Sequence, residues 1–144
     1  DKINESSKFM AGTMSLRQLH LCKIDMAWHD GVLDDVNVEN FERDLLKDST
    51  LIDKVEGTAV SPSFGHIFSG GYSAGYYSYK WAELLEADAF ESFKDNGVFN
   101  QDVALSFREN ILSKGNLKNP MELYKNFKGR EPKVDALLKR DGLI

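Results

Sequence analysis

The placement of residues that start and stop helices is the feature that most constrains this chain of 144 residues. Asparagine precedes three stretches with apolar residues at helical intervals, at Asn37, Asn100 and Asn119, and asparagine is a preferred N-cap. Glycine stands where such stretches end, and glycine favours the backbone conformation that closes a helix. These glycines are Gly31, Gly97, Gly115, Gly129 and Gly142. The chain is therefore predicted to be all-α.

The apolar spacing gives the predicted helices in more detail. They cover residues 6–29, 38–48, 73–94 and 101–114, then a segment from Asn119-Pro120 to about Gly129, and a last one between Pro132 and Gly142. Residues 51–60 have no clear period. Residues 61–71 contain one proline and three glycines, which predicts an irregular loop.

The predicted helix at residues 6–29 has apolar residues on more than one face. Leu21, Ile24 and Trp28 follow one helical stripe, and Leu19 and Met26 lie on a second. A helix of this kind packs on several sides. We therefore expect it to have neighbours, some of them outside this chain.

Composition excludes several classes of function. The net charge of −5 argues against nucleic acid, whose phosphates need a basic partner surface. No stretch approaches the length of apolar residues that crosses a membrane, and the first residues lack the apolar core of a signal peptide. The single cysteine, Cys22, fits a reducing compartment and is expected to be buried and inert. A cytoplasmic protein is predicted.

Candidate chemistry concentrates in residues 64–81, which hold His66 and four of the five tyrosines. If they are helical, Tyr72, Tyr76 and Tyr79 share one face, with about 10 Å of rise from the first to the last. A neutral tyrosine hydroxyl can donate a hydrogen bond to the oxyanion that forms at a carbonyl under attack. The alternative is a tyrosine-rich helix packed in a core, with its hydroxyls hydrogen-bonded.

The segment FGHIFSGGYSAGYYSYKWAE closely resembles the substrate loop and following helix of the thimet oligopeptidase family of zinc metallopeptidases, which includes oligopeptidase A and dipeptidyl carboxypeptidase. KFMAGTMSLRQLHLCKIDMAWH resembles the long helix that follows the zinc-binding region in that family. DAFESFKDNGVF, FRENILSKGN, NPMELYKNFKGREP and VDALLKRDGL resemble its C-terminal tail. The resemblance covers nearly all of residues 1–144 and implies the C-terminal portion of a zincin-type oligopeptidase catalytic domain, all-α with one glycine-rich substrate loop.

The resemblance also implies roles for individual residues. Tyr79 would hydrogen-bond the tetrahedral intermediate, Tyr72 would contact the substrate or the same oxyanion, and His66 would lie near the scissile carbonyl. Tyr76, Gly70 and Gly71 are expected to contact the substrate, since the family's glycine-rich loop closes over bound peptide.

The resemblance implies zinc as the cofactor of the parent enzyme, held by an H-E-x-x-H helix and a Glu on the next helix. The present sequence has no H-E-x-x-H, and the family carries this motif upstream of the region that the chain resembles. We therefore expect no catalytic zinc in this chain, and no peptide hydrolysis by the chain alone. Its expected partners are short peptides and the rest of the parent peptidase, with self-association through exposed apolar surface.

Two functions stay open on the sequence. The first is a fragment of a cytoplasmic metalloendopeptidase or peptidyl-dipeptidase, and the sequence does not separate dipeptide release from internal cleavage. The second is a non-catalytic all-α module that binds peptides or serves as a scaffold. The absence of the zinc motif is consistent with the non-catalytic module. The set of His66, Tyr72 and Tyr79 favours the peptidase fragment.

Overall fold

A computed structural model describes residues 2–31 and 34–144. These residues form eight α-helices and no strand, so the predicted all-α class is confirmed. The helices are α1 (Lys2–Lys8), α2 (Ala11–His29), α3 (Val38–Leu46), α4 (Gly65–Phe68), α5 (Ser78–Asn96), α6 (Gln101–Phe107), α7 (Pro120–Lys128) and α8 (Asp135–Arg140). A 3₁₀ turn at Ser61–Ser63 precedes α4, and a π-helical segment, Arg108–Leu112, continues α6.

The predicted N-caps are confirmed by their hydrogen bonds. The side chain of Asn37 accepts from the backbone N–H of Asn40, that of Asn100 from Asp102 and Val103, and that of Asn119 from Met121. The predicted stop at Gly129 is also confirmed, with a left-handed φ of 75° directly after α7.

Three predicted boundaries are wrong. Residues 6–29 are not one helix, because Met10 has a φ of 56° and separates α1 from α2. Residues 101–114 are α-helical only as far as Phe107. Helix α5 begins at Ser78 rather than at residue 73, because Ala74 has a φ of 52°, which no α-helix contains.

Contacts divide the chain into two compact units. We call Gly12–Lys80 the loop unit, and Asp1–Ala11 with Trp81–Ile144 the tail unit. The core of the loop unit is apolar and draws on α2, α3, the 61–71 segment and the turn that precedes α5. Its buried members are Leu21, Ile24, Leu46, Phe64, Ile67 and Tyr76. Cys22 is half-buried against this core, less enclosed than expected.

The tail unit has its own core and its own buried charge. Ala87, Ala136 and Leu137 are buried together. Asp88, only 2% exposed, accepts two hydrogen bonds of 2.7 Å from the Arg130 guanidinium and one of 2.7 Å from the Tyr124 hydroxyl. Burial alone would raise the pKa of Asp88, but the hydrogen bonds from Arg130, Tyr124 and the Lys133 amide outweigh it and lower the pKa to about 2.

No helix within residues 2–31 and 34–144 is both long enough and apolar enough to cross a bilayer.

Candidate active site

The candidate site is an aromatic cluster in the loop unit, formed by Phe64, His66, Tyr72, Tyr76 and Tyr79. The rings of Tyr72 and Tyr79 stack with centroids 5.1 Å apart and planes at 27°. The His66 ring lies 6.0 Å from Tyr72 and 5.9 Å from Tyr76. The structure therefore brings together the four ring-bearing residues that the sequence singled out.

The cluster is not built as the helical spacing predicted. Tyr72 and Tyr76 lie in turns before α5, and only Tyr79 is helical. The rings of Tyr72 and Tyr79 are thus in contact, rather than separated by two helical turns. The turns fold Tyr72 back toward Tyr79, which a continuous helix could not do.

The hydroxyl groups of Tyr72 and Tyr79 are linked. A hydrogen bond with Tyr72 raises the pKa of Tyr79, and the nearby phenols of Tyr72 and Tyr76 act in the same direction. Tyr79 is therefore a neutral donor near pH 7.

The cluster has an outer side and an inner side. Tyr79 is 39% exposed, and His66 is exposed as well. Tyr76 is only 9% exposed, packs edge-on against Phe64 at 5.0 Å, and its hydroxyl lies 3.2 Å from Gln18 Oε1, to which it donates. Burial raises the pKa of the Tyr76 phenol. The structure gives Tyr76 a packing role, and its contact with substrate stays a prediction.

The two predicted loop glycines close the turn that follows α4. The amide of Gly70 donates to the carbonyl of Gly65 at 2.8 Å, and a Cβ on Gly70 would lie 2.9 Å from both Cα and O of His66. Gly71 has a φ of 79°, in the left-handed region that glycine adopts without strain. Tyr72 then donates its amide to the His66 carbonyl at 3.1 Å. These contacts place the His66 and Tyr72 rings side by side.

A buried aspartate on α2 binds the turn that contains Ala74 and Tyr76. Asp25 is fully buried, its Oδ1 accepts from the Ala74 amide at 2.9 Å, and its Oδ2 accepts from the Tyr76 amide at 2.8 Å. His29 Nδ1 lies 3.0 Å from the same Oδ1 and 2.7 Å from the Asp25 backbone oxygen. Because both neighbours are acceptors, Nδ1 carries the proton and donates.

A buried glutamate on α3 binds the backbone at Val60 and Ser61, which precede α4. Glu42 is fully buried and accepts from the Val60 amide, from the Ser61 amide and hydroxyl (both 2.6 Å), and from Lys54 Nζ at 2.8 Å. Trp28 Nε1 donates to the Ser61 hydroxyl at 2.7 Å. Burial alone would raise the pKa of Glu42, but the hydrogen bonds from Lys54, Ser61 and Val60 outweigh it and lower the pKa to about 2.

The sequence analysis missed Asp25 and Glu42, although each left a signal. Asp25 falls on the same helical stripe as Leu21, Ile24 and Trp28, and Glu42 lies four residues before the buried Leu46. A carboxylate on the apolar face of a helix must find partners in the core. That signal indicates a buried anchor, but it does not identify the amides that the anchor binds.

The described residues offer no place for zinc. Among residues 2–31 and 34–144, no three His, Cys, Asp or Glu side chains are grouped as metal ligands would be. The rings around His66 are those of Phe64, Tyr72 and Tyr76. The described residues therefore do not fit a zinc site.

Comparison with known proteins decides the family. The sequence profile of Peptidase family M3 matches residues 1–143. The chain belongs to Peptidase family M3. The family assignment made from the glycine-tyrosine segment is thereby confirmed.

Several curated M3 relatives match this chain from end to end. Oligopeptidase A of Escherichia coli is 40% identical over 99% of the chain, and oligopeptidase A of Haemophilus influenzae is 42% identical over 97% of it. Dipeptidyl carboxypeptidase of Escherichia coli is 34% identical over 99% of the chain. In each case the match covers 21% of the relative, so this M3 chain spans about a fifth of the length of these proteins.

Proposed function

We propose that this chain forms the carbonyl-binding side of the active site in a longer zinc-dependent oligopeptidase that hydrolyses short peptides. The observation that carries the proposal is the stacked pair of Tyr72 and Tyr79 beside His66. Membership of Peptidase family M3 supports it, as do the names of the relatives, oligopeptidase A and dipeptidyl carboxypeptidase.

In the proposed mechanism the tyrosine pair acts on the oxygen of the scissile carbonyl. Attack on the carbonyl carbon moves negative charge onto this oxygen, and a positioned O–H donor stabilises that charge more than it stabilises the neutral substrate. Tyr79 is the main donor, Tyr72 contacts the substrate or the same oxyanion, and His66 holds the substrate near the carbonyl. The raised pKa of Tyr79 supports this role, since the phenol keeps its proton near pH 7.

The zinc ion and the base that activates water belong, in this proposal, to parts of the longer protein outside residues 1–144. The isolated chain is therefore inactive. Peptide hydrolysis by the purified chain that is abolished by a chelator would contradict this.

The proposed partner of the chain is the remainder of the parent peptidase. Leu19 and Met26, seven residues apart on one face of α2, are 47% and 42% exposed, a pattern that supports coverage by further protein. The same surface would drive self-association of the chain alone. We place the parent in the cytoplasm, in line with its single cysteine and with the Arabidopsis thaliana relative named probable cytosolic oligopeptidase A.

The decisive test replaces single tyrosines by phenylalanine in the full-length, zinc-loaded peptidase. Tyr79→Phe should lower kcat about 100-fold or more, as the loss of one oxyanion donor does in other enzymes, with little change in thermal stability. Tyr77→Phe is the matched control, because Tyr77 is 46% exposed and lies outside the aromatic cluster. A near-normal kcat for both Tyr79→Phe and Tyr72→Phe would remove the pair from the mechanism.

A further inference from the structure

We propose that Asp25 is a positioning residue that sets the geometry of the Tyr72–Tyr79 pair by binding the backbone between them. This inference rests on the proposed function of that pair. Asp25 itself contacts neither tyrosine ring. It acts through the amides of Ala74 and Tyr76, which lie on the stretch of chain that joins the two rings.

The hydrogen bonds of the Asp25 carboxylate point to this task. The side chain is fully buried, and each carboxylate oxygen accepts one amide of the turn, at 2.9 Å from Ala74 and 2.8 Å from Tyr76. A buried carboxylate is costly unless it is fully hydrogen-bonded, so this contact is specific rather than incidental. The donors are 49 and 51 residues away along the chain, so the contact ties α2 directly to the turn.

The turn also needs a tether. Ala74 has a φ of 52°, a conformation that a residue with a side chain rarely adopts and that persists only where surrounding contacts enforce it. The hydrogen bond from the Ala74 amide to Asp25 is such a contact. Ser73 adds a second, from its hydroxyl to the Ile67 carbonyl. Helix α5 then starts at Ser78, one residue before Tyr79, so the direction of the turn determines where the Tyr79 hydroxyl lies.

His29 completes the arrangement from the end of α2. Its Nδ1 lies 3.0 Å from Asp25 Oδ1 and 2.7 Å from the Asp25 carbonyl oxygen, so it orients the carboxylate toward the turn. The chain of contacts thus runs from His29 through Asp25 to the turn at Ala74, and from there to the two tyrosines.

The test uses Asp25→Asn in the full-length, zinc-loaded peptidase. An asparagine amide has one acceptor oxygen, so one of the two backbone N–H groups would face an NH₂ group instead. We expect kcat to fall about 10–100-fold with KM within about twofold, since small displacements of catalytic groups cost that much. Deuterium uptake by the peptide that covers residues 72–79 should rise. An unchanged kcat would overturn the proposal.

A double-mutant cycle separates positioning from a general loss of stability. If Asp25 acts through the tyrosines, Asp25→Asn should cost less than about threefold once Tyr79→Phe is present, because interacting residues are not additive. Fully additive losses in the cycle would overturn the positioning role while leaving the proposed function intact. A near-normal rate for both tyrosine variants would instead refute the proposed function.

Two further variants keep the result decisive. Asp88→Asn is the matched control, since Asp88 is equally buried but its partners Arg130 and Tyr124 lie outside the aromatic cluster, and its kcat should stay near normal in the folded fraction. A loss equal to that of Asp25→Asn would overturn the proposal.

Should Asp25→Asn fail to fold, His29→Ala at the last residue of α2 is expected to lower kcat about threefold, and only when Tyr79 is intact. No such loss would overturn it as well.

Discussion

In the proposed mechanism, the value of the tyrosine pair lies in the contact between its two stacked rings. The pKa of Tyr79 is raised above its ordinary value of about 10, so the phenol stays protonated near pH 7. A single isolated tyrosine would offer the same donor, but its hydroxyl group would be free to rotate. In the proposed mechanism, the partner ring restricts this freedom before the substrate arrives, which avoids the cost of ordering the donor during the reaction.

Gly70 provides a test at a single residue. A methyl group at Gly70 would meet the His66 backbone at 2.9 Å, so Gly70→Ala should destabilise the chain by about 1–3 kcal/mol. Gly65→Ala is the control, because its nearest neighbour, Ser69 Oγ, would lie at an ordinary 3.6 Å. Urea denaturation of the two variants measures the difference. Equal midpoints would show that the turn after α4 relaxes without cost.

At the scale of helices, the N-caps are the contacts most easily tested. Asn100 accepts hydrogen bonds from the amides of Asp102 and Val103, at 3.0 and 3.1 Å. Asn100→Ala leaves both amides without this acceptor and should cost about 1 kcal/mol, whereas Asn100→Ser should retain most of the stability. Hydrogen exchange of the first amides of α6 checks this. Equal exchange in both variants would mean that water replaces the cap fully.

Local signals predicted the helices better than they predicted the site. Asn37, Asn100 and Asn119 cap helices through amides two or three residues away, so the sequence contains both partners of each contact within one turn. The backbone just before α5 instead donates hydrogen bonds to Asp25, which is about 50 residues distant. The amides of Ala74 and Tyr76 bind this carboxylate rather than helical carbonyl groups. Helical spacing therefore grouped tyrosines whose rings do lie together, but it predicted a helix where Tyr72 and Tyr76 lie in turns.

The π-helical segment shows the same limit. Nothing in the apolar spacing of residues 101–114 marks the change of winding at Arg108, where the amide of Ser113 donates to the Arg108 carbonyl at 2.8 Å. One extra residue in that turn shifts the register of every later side chain. The spacing of Val103 and Phe107 is helical, and the expected continuation to Lys114 was a reasonable but wrong extrapolation.

At the scale of the whole molecule, each unit contains a buried carboxylate that must stay ionised. The pKa of Glu42 in the loop unit and that of Asp88 in the tail unit are both about 2, below their ordinary values of 4.5 and 3.8. A lowered pKa in the folded state means that this stability is complete above the unfolded pKa and is lost as the pH falls toward the folded one.

We therefore expect both units to be acid-sensitive. Each carboxylate should contribute roughly 2–3 kcal/mol near neutral pH, which disappears progressively from about pH 5 to about pH 2. Thermal denaturation of the chain across this range measures the loss. Glu42→Gln and Asp88→Asn should each be less stable at pH 7 and less dependent on pH below 5 than the parent sequence. A pH dependence unchanged in both variants would assign the acid sensitivity to other groups.

The two buried carboxylates of the loop unit, Glu42 and Asp25, fix both ends of the segment between them. Glu42 grips the backbone at Val60 and Ser61, and Asp25 grips it at Ala74 and Tyr76, so residues 62–73 begin and end at fixed points. Both carboxylates accept hydrogen bonds from backbone amides, which every residue except proline can supply at these positions. Substitutions within residues 62–73 that keep the course of the backbone therefore leave these amide contacts in place. The same geometry marks residues 62–73 as one replaceable segment, because its two ends are fixed by backbone contacts rather than by its own side chains.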